Sequence, residues 1–316
     1  MKITILDKCT VTTGDVSLDE ITRLGDVTEY DVVSDVAAAI GDSDAVIINK
    51  AQITDDVMEK CKNLKYVGIF ATGYNNVDIA SAKRRGIVVA NVPGYSTDSV
   101  AQTAFTMILH FATNADLYDA TVKAGDWANS ATFSYLRFPI TELAGKTLGI
   151  FGFGTIGKRI ARIADAFGMR IIAVSHHPQV YDGVEFVDAE TLFTESDYLS
   201  LNCPLTPETR GIVNKNTLAK MKKTAVLINT ARGGCVVEED LANALNSGVI
   251  AGAGVDVLDT EPMKKGHPYL TAKNMFMTPH IAWASYEARK RLITIVADNL
   301  SSFMRGEPKN NVAKQE

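Results

Sequence analysis

Short β-branched and apolar runs alternate with polar, amphipathic stretches from residue 3 to about residue 91. The runs at 3–6, 27–30, 45–49, 66–70 and 87–91 read as strands, and stretches such as 54–61 and 78–85 read as helices between them. Parallel neighbours need crossover connections, so strands separated by helices predict a parallel sheet covered on both faces. From 96 to 123 there is no Pro or Gly, and Val100, Ala104, Met107, Ile108 and Phe111 recur at helical spacing, which predicts one long buried helix. A loop with Gly125, Trp127 and Pro139 follows, and a second alternating series begins at 146–151. Its later strands are expected at 170–175, 198–202, 225–229, 250–257 and 275–278, and an amphipathic helix closes the chain at 285–305 before Gly306 and Pro308. The pattern as a whole predicts an α/β protein of two doubly wound parallel-sheet domains with a cleft between them.

The length of 316 residues suits two domains, each with its own core. A net charge of -5, from 32 Lys+Arg against 37 Asp+Glu, supplies no basic excess to neutralise a polyphosphate backbone, so nucleic acid is not expected as a partner. Cys9, Cys61, Cys203 and Cys235 are scattered and form no C-x-x-C pair, which fits reduced thiols and predicts no metal site. No run approaches the ~18 apolar residues of a membrane span. The opening Lys2-Ile3-Thr4-Ile5-Leu6 reads as a strand rather than a secretory signal, so a cytoplasmic location without membrane contact is expected.

Candidate chemistry begins at Gly152-Phe153-Gly154-Thr155-Ile156-Gly157, which follows an apolar run and opens a helical stretch from 156 to 167. That is the context a dinucleotide fingerprint requires, and it makes the second domain Rossmann-like. Gly152 would make the tight turn, Gly154 would admit the pyrophosphate to the backbone, and Gly157 would let helix and strand pack closely. The helix amides and dipole would bind the phosphates. About 20 residues on, an acid usually bonds the ribose 2'-hydroxyl. Here the strand ends Ala173-Val174-Ser175-His176-His177, with neither that carboxylate nor an Arg for a 2'-phosphate, so NAD and NADP both stay open.

Further segments complete a pattern: Ala71-Thr72-Gly73-Tyr74-Asn75-Asn76-Val77-Asp78, Asn229-Thr230-Ala231-Arg232-Gly233-Gly234, Gly254-Val255-Asp256-Val257, Glu261-Pro262 and Thr278-Pro279-His280-Ile281-Ala282-Trp283. With the glycine fingerprint, and in this order along nearly the whole chain, they resemble the D-isomer-specific 2-hydroxyacid dehydrogenases, particularly the glycerate dehydrogenase (hydroxypyruvate reductase) branch. The resemblance implies a nicotinamide-dependent oxidoreductase that interconverts a small 2-keto acid and its D-2-hydroxy acid. It implies Arg232 on the substrate carboxylate, His280 as the acid/base and Glu261 bonded to the histidine. The chemistry asks for the same types: guanidinium forks match carboxylates, ketone reduction needs a proton on oxygen, and a carboxylate beside an imidazole favours its charged form and fixes the ring. Singly, each has a structural explanation: Arg232 as a helix-start or surface ion pair, Glu261 as a solvated loop acid before Pro262, and His280 as a strand-end histidine satisfied by backbone.

The resemblance further implies Thr72, Gly73 and Tyr74 at the substrate, with backbone amides on its carboxylate. It places Thr155 and Ile156 at the pyrophosphate, Ser175 at the ribose, Cys203 and Pro204 near the adenosine, and Thr230 and Asp256 near the nicotinamide. Trp283 points to the glycerate dehydrogenase branch, either as an indole wall that favours hydroxypyruvate or glyoxylate or as a packing residue. The implied domains are 1–99 with 285–316 for substrate and 100–284 for NAD or NADP, the latter carrying a homodimer interface along the long helix. The chain stops soon after its last helix, so no appended regulatory domain is expected. D-lactate dehydrogenase and a short phosphoglycerate dehydrogenase are alternatives inside the family, and a nucleotide-sensing corepressor is one outside enzymes.

Overall fold

A computed structural model describes residues 1–177 and 180–314. The chain divides into two compact units, Met1–Ser96 with Trp283–Glu316, and Thr97–Ala282.

In the first unit the strands are β1 (Lys2–Ile5), β2 (Asp26–Glu29), β3 (Ala45–Ile48), β4 (Tyr66–Ile69) and β5 (Val88–Ala90). They pair in parallel in the order β2-β1-β3-β4-β5. Every residue of β3 and β4 is buried, as expected where helices cover both faces of a sheet. The helices start where the sequence offers caps: Thr54 accepts from Val57 N, and Asp78 from Ser81 N. The last helix, Tyr286–Met304, belongs to this unit and buries Leu292, Ile293, Val296, Ala297 and Leu300 against Ile3, Ile5 and Tyr66. Its stripe recurs every three to four residues, and each buried Leu or Ile contributes about 2 kcal/mol.

In the second unit the strands are β6 (Thr147–Phe151), β7 (Arg170–Val174), β8 (Val184–Phe186), β9 (Tyr198–Leu201), β10 (Val226–Asn229), β11 (Gly252–Val255) and β12 (Met275–Met277). All pair in parallel, in the order β12-β11-β10-β9-β6-β7-β8. Strand order reverses on either side of β6 and β9, so this sheet has the doubly wound topology that the alternating pattern predicted. The two parallel α/β sheets agree with the expected fold class.

One element differs from expectation. The helix predicted over 96–123 is two helices, Thr97–Thr113 and Ala115–Lys123, broken at Asn114 in the left-handed region at φ 50. Asn tolerates that conformation better than most residues, and here its side-chain amide donates to the Pro139 carbonyl at 2.8 Å. Only the first helix is well buried, through Ala101, Ala104, Phe105, Met107, Ile108 and Ala112. The second buries none of its residues.

Candidate active site

The predicted site residues of the second unit all follow the carboxyl ends of its strands, where a doubly wound sheet receives ligands. The fingerprint follows β6, Ser175 follows β7, Cys203 and Pro204 follow β9, Thr230 and Arg232 follow β10, Asp256 follows β11 and His280 follows β12.

Gly152 lies at φ 98, and a Cβ there would stand 2.8 Å from the Asn202 carbonyl carbon and from Cys203 N. The turn therefore needs glycine both for its backbone angle and for its approach to the loop after β9. At Gly157 a Cβ would meet Gly152 O at 2.5 Å and Ile150 Cγ2 at 3.1 Å, so helix and strand touch there without a side chain. Gly154 is the N-cap of the helix Thr155–Ala166, and nothing lies within 4 Å of the place its Cβ would take. The helix start is open to an anion where its amides are unsatisfied. Thr230 Oγ1 and Asn202 Oδ1 are buried and unpartnered among the described residues, at the ends of β10 and β9. Buried polar atoms normally have partners, and a bound dinucleotide with its hydroxyls and amide would satisfy them. The residues present thus fit a nicotinamide dinucleotide. At the end of β7, Ser175 Oγ donates to the His177 carbonyl at 3.2 Å, and no carboxylate occupies that position.

Asn229, which the sequence reading passed over, shapes the Arg232 turn. Its side-chain oxygen accepts from Ala231 N and its amide donates to the Arg232 carbonyl, both at 3.0 Å. An Asn ending a strand two residues before a turn is the available signal for such a motif. Arg232 is extended, and its Nη1 donates to the Ala231 carbonyl at 2.7 Å. Gly233 and Gly234 after it are buried against the Leu258–Asp259 backbone and the Asp259 side chain.

The His280 segment hangs on a buried carboxylate. Asp256 is 3% exposed, and its side chain accepts from Thr278 Oγ1 at 2.6 Å and from Ile281 N and Ala282 N at 2.9 Å. Its backbone carbonyl also accepts from His280 N at 2.7 Å. Burial pushes the Asp256 carboxyl above the ordinary range, while the Thr278, Ala282 and Ile281 bonds and the nearby His280 oppose that rise. These contacts hold His280 at φ 57, a left-handed conformation that costs a non-glycine residue about 1 to 2 kcal/mol. Thr278 is a second residue that the sequence reading did not single out for this work.

Glu261 reaches His280 across the β11-to-β12 connection, Oε2 lying 2.6 Å from Nδ1. Its other oxygen accepts from Leu258 N at 3.0 Å, so the carboxylate is fixed at both ends. The loop that carries it is braced by Glu238, which accepts from Asp259 N at 2.9 Å and lies 3.0 Å from His267 Nε2. An ionised carboxylate only accepts, so Nδ1 carries the hydrogen that faces Glu261, and Nε2 is the second ring nitrogen.

In the first unit, Thr72 Oγ1 donates to the Val92 carbonyl and Asn91 Nδ2 donates to the Thr72 carbonyl, both at 2.7 Å. These bonds tie down the start of the loop after β4 that carries Gly73 and Tyr74. Trp283 packs on the core beneath the last helix and meets Tyr95 edge to face at 6.2 Å between ring centroids. That packing uses part of the indole surface.

The model of the D-isomer specific 2-hydroxyacid dehydrogenase NAD binding domain matches residues 105–282, more than half of the chain. The chain belongs to the D-isomer specific 2-hydroxyacid dehydrogenases. It is 42% identical to a hydroxypyruvate reductase of Blautia hydrogenotrophica over 99% of this chain and 100% of that protein. It is 41% identical to a glycerate dehydrogenase of Methylorubrum extorquens, with 85% of each covered. Among solved structures, an NADPH-dependent glyoxylate/hydroxypyruvate reductase of Sinorhizobium meliloti, in complex with citrate, is 30% identical and superposes with a TM-score of 0.85 over 99% of this chain and 97% of that one. This member of the family is therefore an oxidoreductase acting on the CH–OH group of D-2-hydroxy acids, with an NAD(P)-binding domain. No helix among the described residues is long and apolar enough to cross a membrane. No group of three or more His, Cys, Asp or Glu among them is placed to hold a metal ion.

Proposed function

We propose that this dehydrogenase reduces hydroxypyruvate or glyoxylate, with His280 as proton donor, Glu261 as its orienting partner and Arg232 as the carboxylate anchor. The observation that carries this reading is the 2.6 Å Glu261–His280 pair on a histidine held in a left-handed backbone, its two residues following β11 and β12, with β11 next in the sheet to β10, the strand that leads to Arg232. Strain of that kind persists only where surrounding bonds over-determine it, and Asp256 supplies those bonds. Glu261 fixes the ring through Nδ1 and turns Nε2 toward the carbonyl oxygen. As hydride adds to the carbonyl carbon, Nε2 gives its proton to the oxygen, and oxidation runs the same transfer backward. In the second unit we assign the guanidinium of Arg232 to carboxylate recognition through paired N–H donors, and in the first unit we assign the backbone amides of Thr72, Gly73 and Tyr74 to carboxylate binding.

For the dinucleotide we assign Gly152, Gly154, Thr155, Ile156 and Gly157 to the pyrophosphate turn, Ser175 to the ribose, Cys203 and Pro204 to the adenosine side, and Thr230 and Asp256 to the nicotinamide side. The nicotinamide supplies the hydride when bound. Trp283 narrows the substrate pocket with the part of its indole not packed on Tyr95.

An absorbance assay of NADH and NADPH consumption with hydroxypyruvate, glyoxylate, pyruvate, phosphohydroxypyruvate and a branched keto acid tests the reading. Hydroxypyruvate or glyoxylate is expected to give the highest kcat/KM, and NADPH is expected to work within about a hundredfold of NADH because no carboxylate at Ser175 repels a 2'-phosphate. A preference for branched keto acids would remove the substrate assignment. A preference for NADH beyond about a thousandfold would remove the argument from Ser175.

We further propose a homodimer formed through the second unit. After the helix Ala115–Lys123, Phe133 is 90% and Leu136 81% exposed, with Trp127 and Ile140 also uncovered, an apolar run that a soluble monomer rarely leaves open. Sedimentation should give about twice the chain mass, reverting toward one chain in Phe133→Ser/Leu136→Ser. A parent protein that sediments as a monomer at micromolar concentration would contradict this.

A further inference from the structure

The carboxyl end of β1 carries a buried carboxylate that the chemistry above does not use. Asp7 is 8% exposed and stands in the left-handed region at φ 53. Its side chain accepts three backbone amides from the segment after β3: Asn49 N at 2.9 Å on Oδ1, and Lys50 N and Ala51 N, each at 2.6 Å, on Oδ2. Hydrogen bonds to a charged acceptor are short and strong, and three on one carboxylate fix three successive peptide units. Burial pushes the Asp7 carboxyl up, and these amides together with the Lys50 charge pull against that rise. A neutral residue would end β1 at lower desolvation cost, so the charge needs another reason.

That segment is gripped from its other side as well. Asn76 Nδ2 donates to the Ala51 carbonyl at 2.8 Å and to the Asn49 carbonyl at 3.2 Å. Ile53 N in turn donates to the Asn76 carbonyl at 2.9 Å. Asn76 ends the loop whose beginning Thr72 and Asn91 tie down, so Gly73 and Tyr74 hang between two fixed points. Strands β1 and β3 are neighbours, and strand order reverses between them, which makes the loops after β1 and β3 the place where an open α/β sheet accepts a ligand.

We propose that Asp7 is a positioning residue for substrate binding: its carboxylate clamps residues 49–51, and through Asn76 that clamp sets the amides of Thr72, Gly73 and Tyr74 that receive the substrate carboxylate. The inference rests on the assignment of those amides proposed above. Asp7 touches no substrate. It acts by removing freedom from a loop that would otherwise be ordered at the expense of binding.

Asp7→Asn keeps the shape but sets an amide nitrogen against backbone N–H groups. It is expected to raise KM for the preferred keto acid about tenfold while kcat and KM for NADH stay within about twofold. Asn76→Ala, at the half-exposed end of the same chain of bonds, should produce the same pattern. Because both cut one strut, the double variant should raise KM little beyond the larger single effect. An Asp7→Asn enzyme with unchanged KM and lowered apparent kcat has merely lost active protein, and that result overturns the proposal. So do KM effects that multiply in the double variant. If Asp7→Asn does not fold, Asn76→Ala decides alone, and an unchanged KM overturns it. Gly73→Pro, which deletes one of the loop amides, separates the two layers. A raised KM there with none in Asp7→Asn and Asn76→Ala rejects the strut only, whereas an unchanged KM in Gly73→Pro rejects the carboxylate-binding loop itself.

Discussion

His280→Ala is expected to lose about a thousandfold or more in kcat for keto-acid reduction while binding NADH as the parent does. General acid catalysis by a placed side chain contributes about 10² to 10⁴ in rate, and this histidine is placed with unusual care. Glu261 fixes Nδ1 at 2.6 Å, and Asp256 holds the backbone on both sides of the residue. Alanine keeps neither the proton nor a substitute for it. NADH affinity, read by fluorescence titration, should stay within about twofold, because the fingerprint turn and the helix behind it do not involve the imidazole. A loss of less than about tenfold in kcat would return His280 to the role of a strand-end histidine bonded for structure. Glu261→Gln should lie between, since glutamine retains an acceptor for Nδ1–H but makes a weaker, uncharged bond to hold the ring.

Arg232→Lys is expected to raise KM for the keto acid by about thirtyfold, equivalent to about 2 kcal/mol, with cofactor binding nearly unchanged. Lysine keeps the positive charge and loses the planar fork, so the size of the effect measures paired recognition of a carboxylate rather than attraction alone. The Asn229 bonds to the turn at residues 231 and 232 hold the backbone of the variant in place, which limits the change to the side chain. Equal losses in NADH affinity and in KM for the keto acid would assign the residue to the nucleotide pocket.

Much of this was legible in the sequence for identifiable reasons. Strands β3 and β4 are uninterrupted apolar runs, as strands buried on both faces must be, and the capping residues Thr54, Asp78 and Ser285 stand where the helices begin. The fingerprint was readable because Gly152 and Gly157 each answer a separate steric demand, at the Asn202–Cys203 loop and at the Gly152 carbonyl, while Gly154 leaves the helix start open. Other features leave no periodic trace. The break at Asn114 is one residue's backbone angle inside an otherwise unbroken helical pattern. β8 is three residues long, lies at the sheet edge and is nowhere fully buried, so alternation had nothing to act on. The roles of Asp7, Thr278 and Asn229 depend on which backbone amides and carbonyls come within reach after folding, and a lone Asp, Thr or Asn at a strand end does not announce its partners. Glu261 and His280 were named by residue type and motif, but their 2.6 Å approach follows from the course of the chain between β11 and β12.

The most direct test of the whole account is the product of one reaction. Purified protein given hydroxypyruvate and NADH is expected to form one D-glycerate for each NADH consumed, as resolved by chiral chromatography. Formation of L-glycerate, or no NADH consumption with any 2-keto acid under conditions where the cofactor binds, would contradict it.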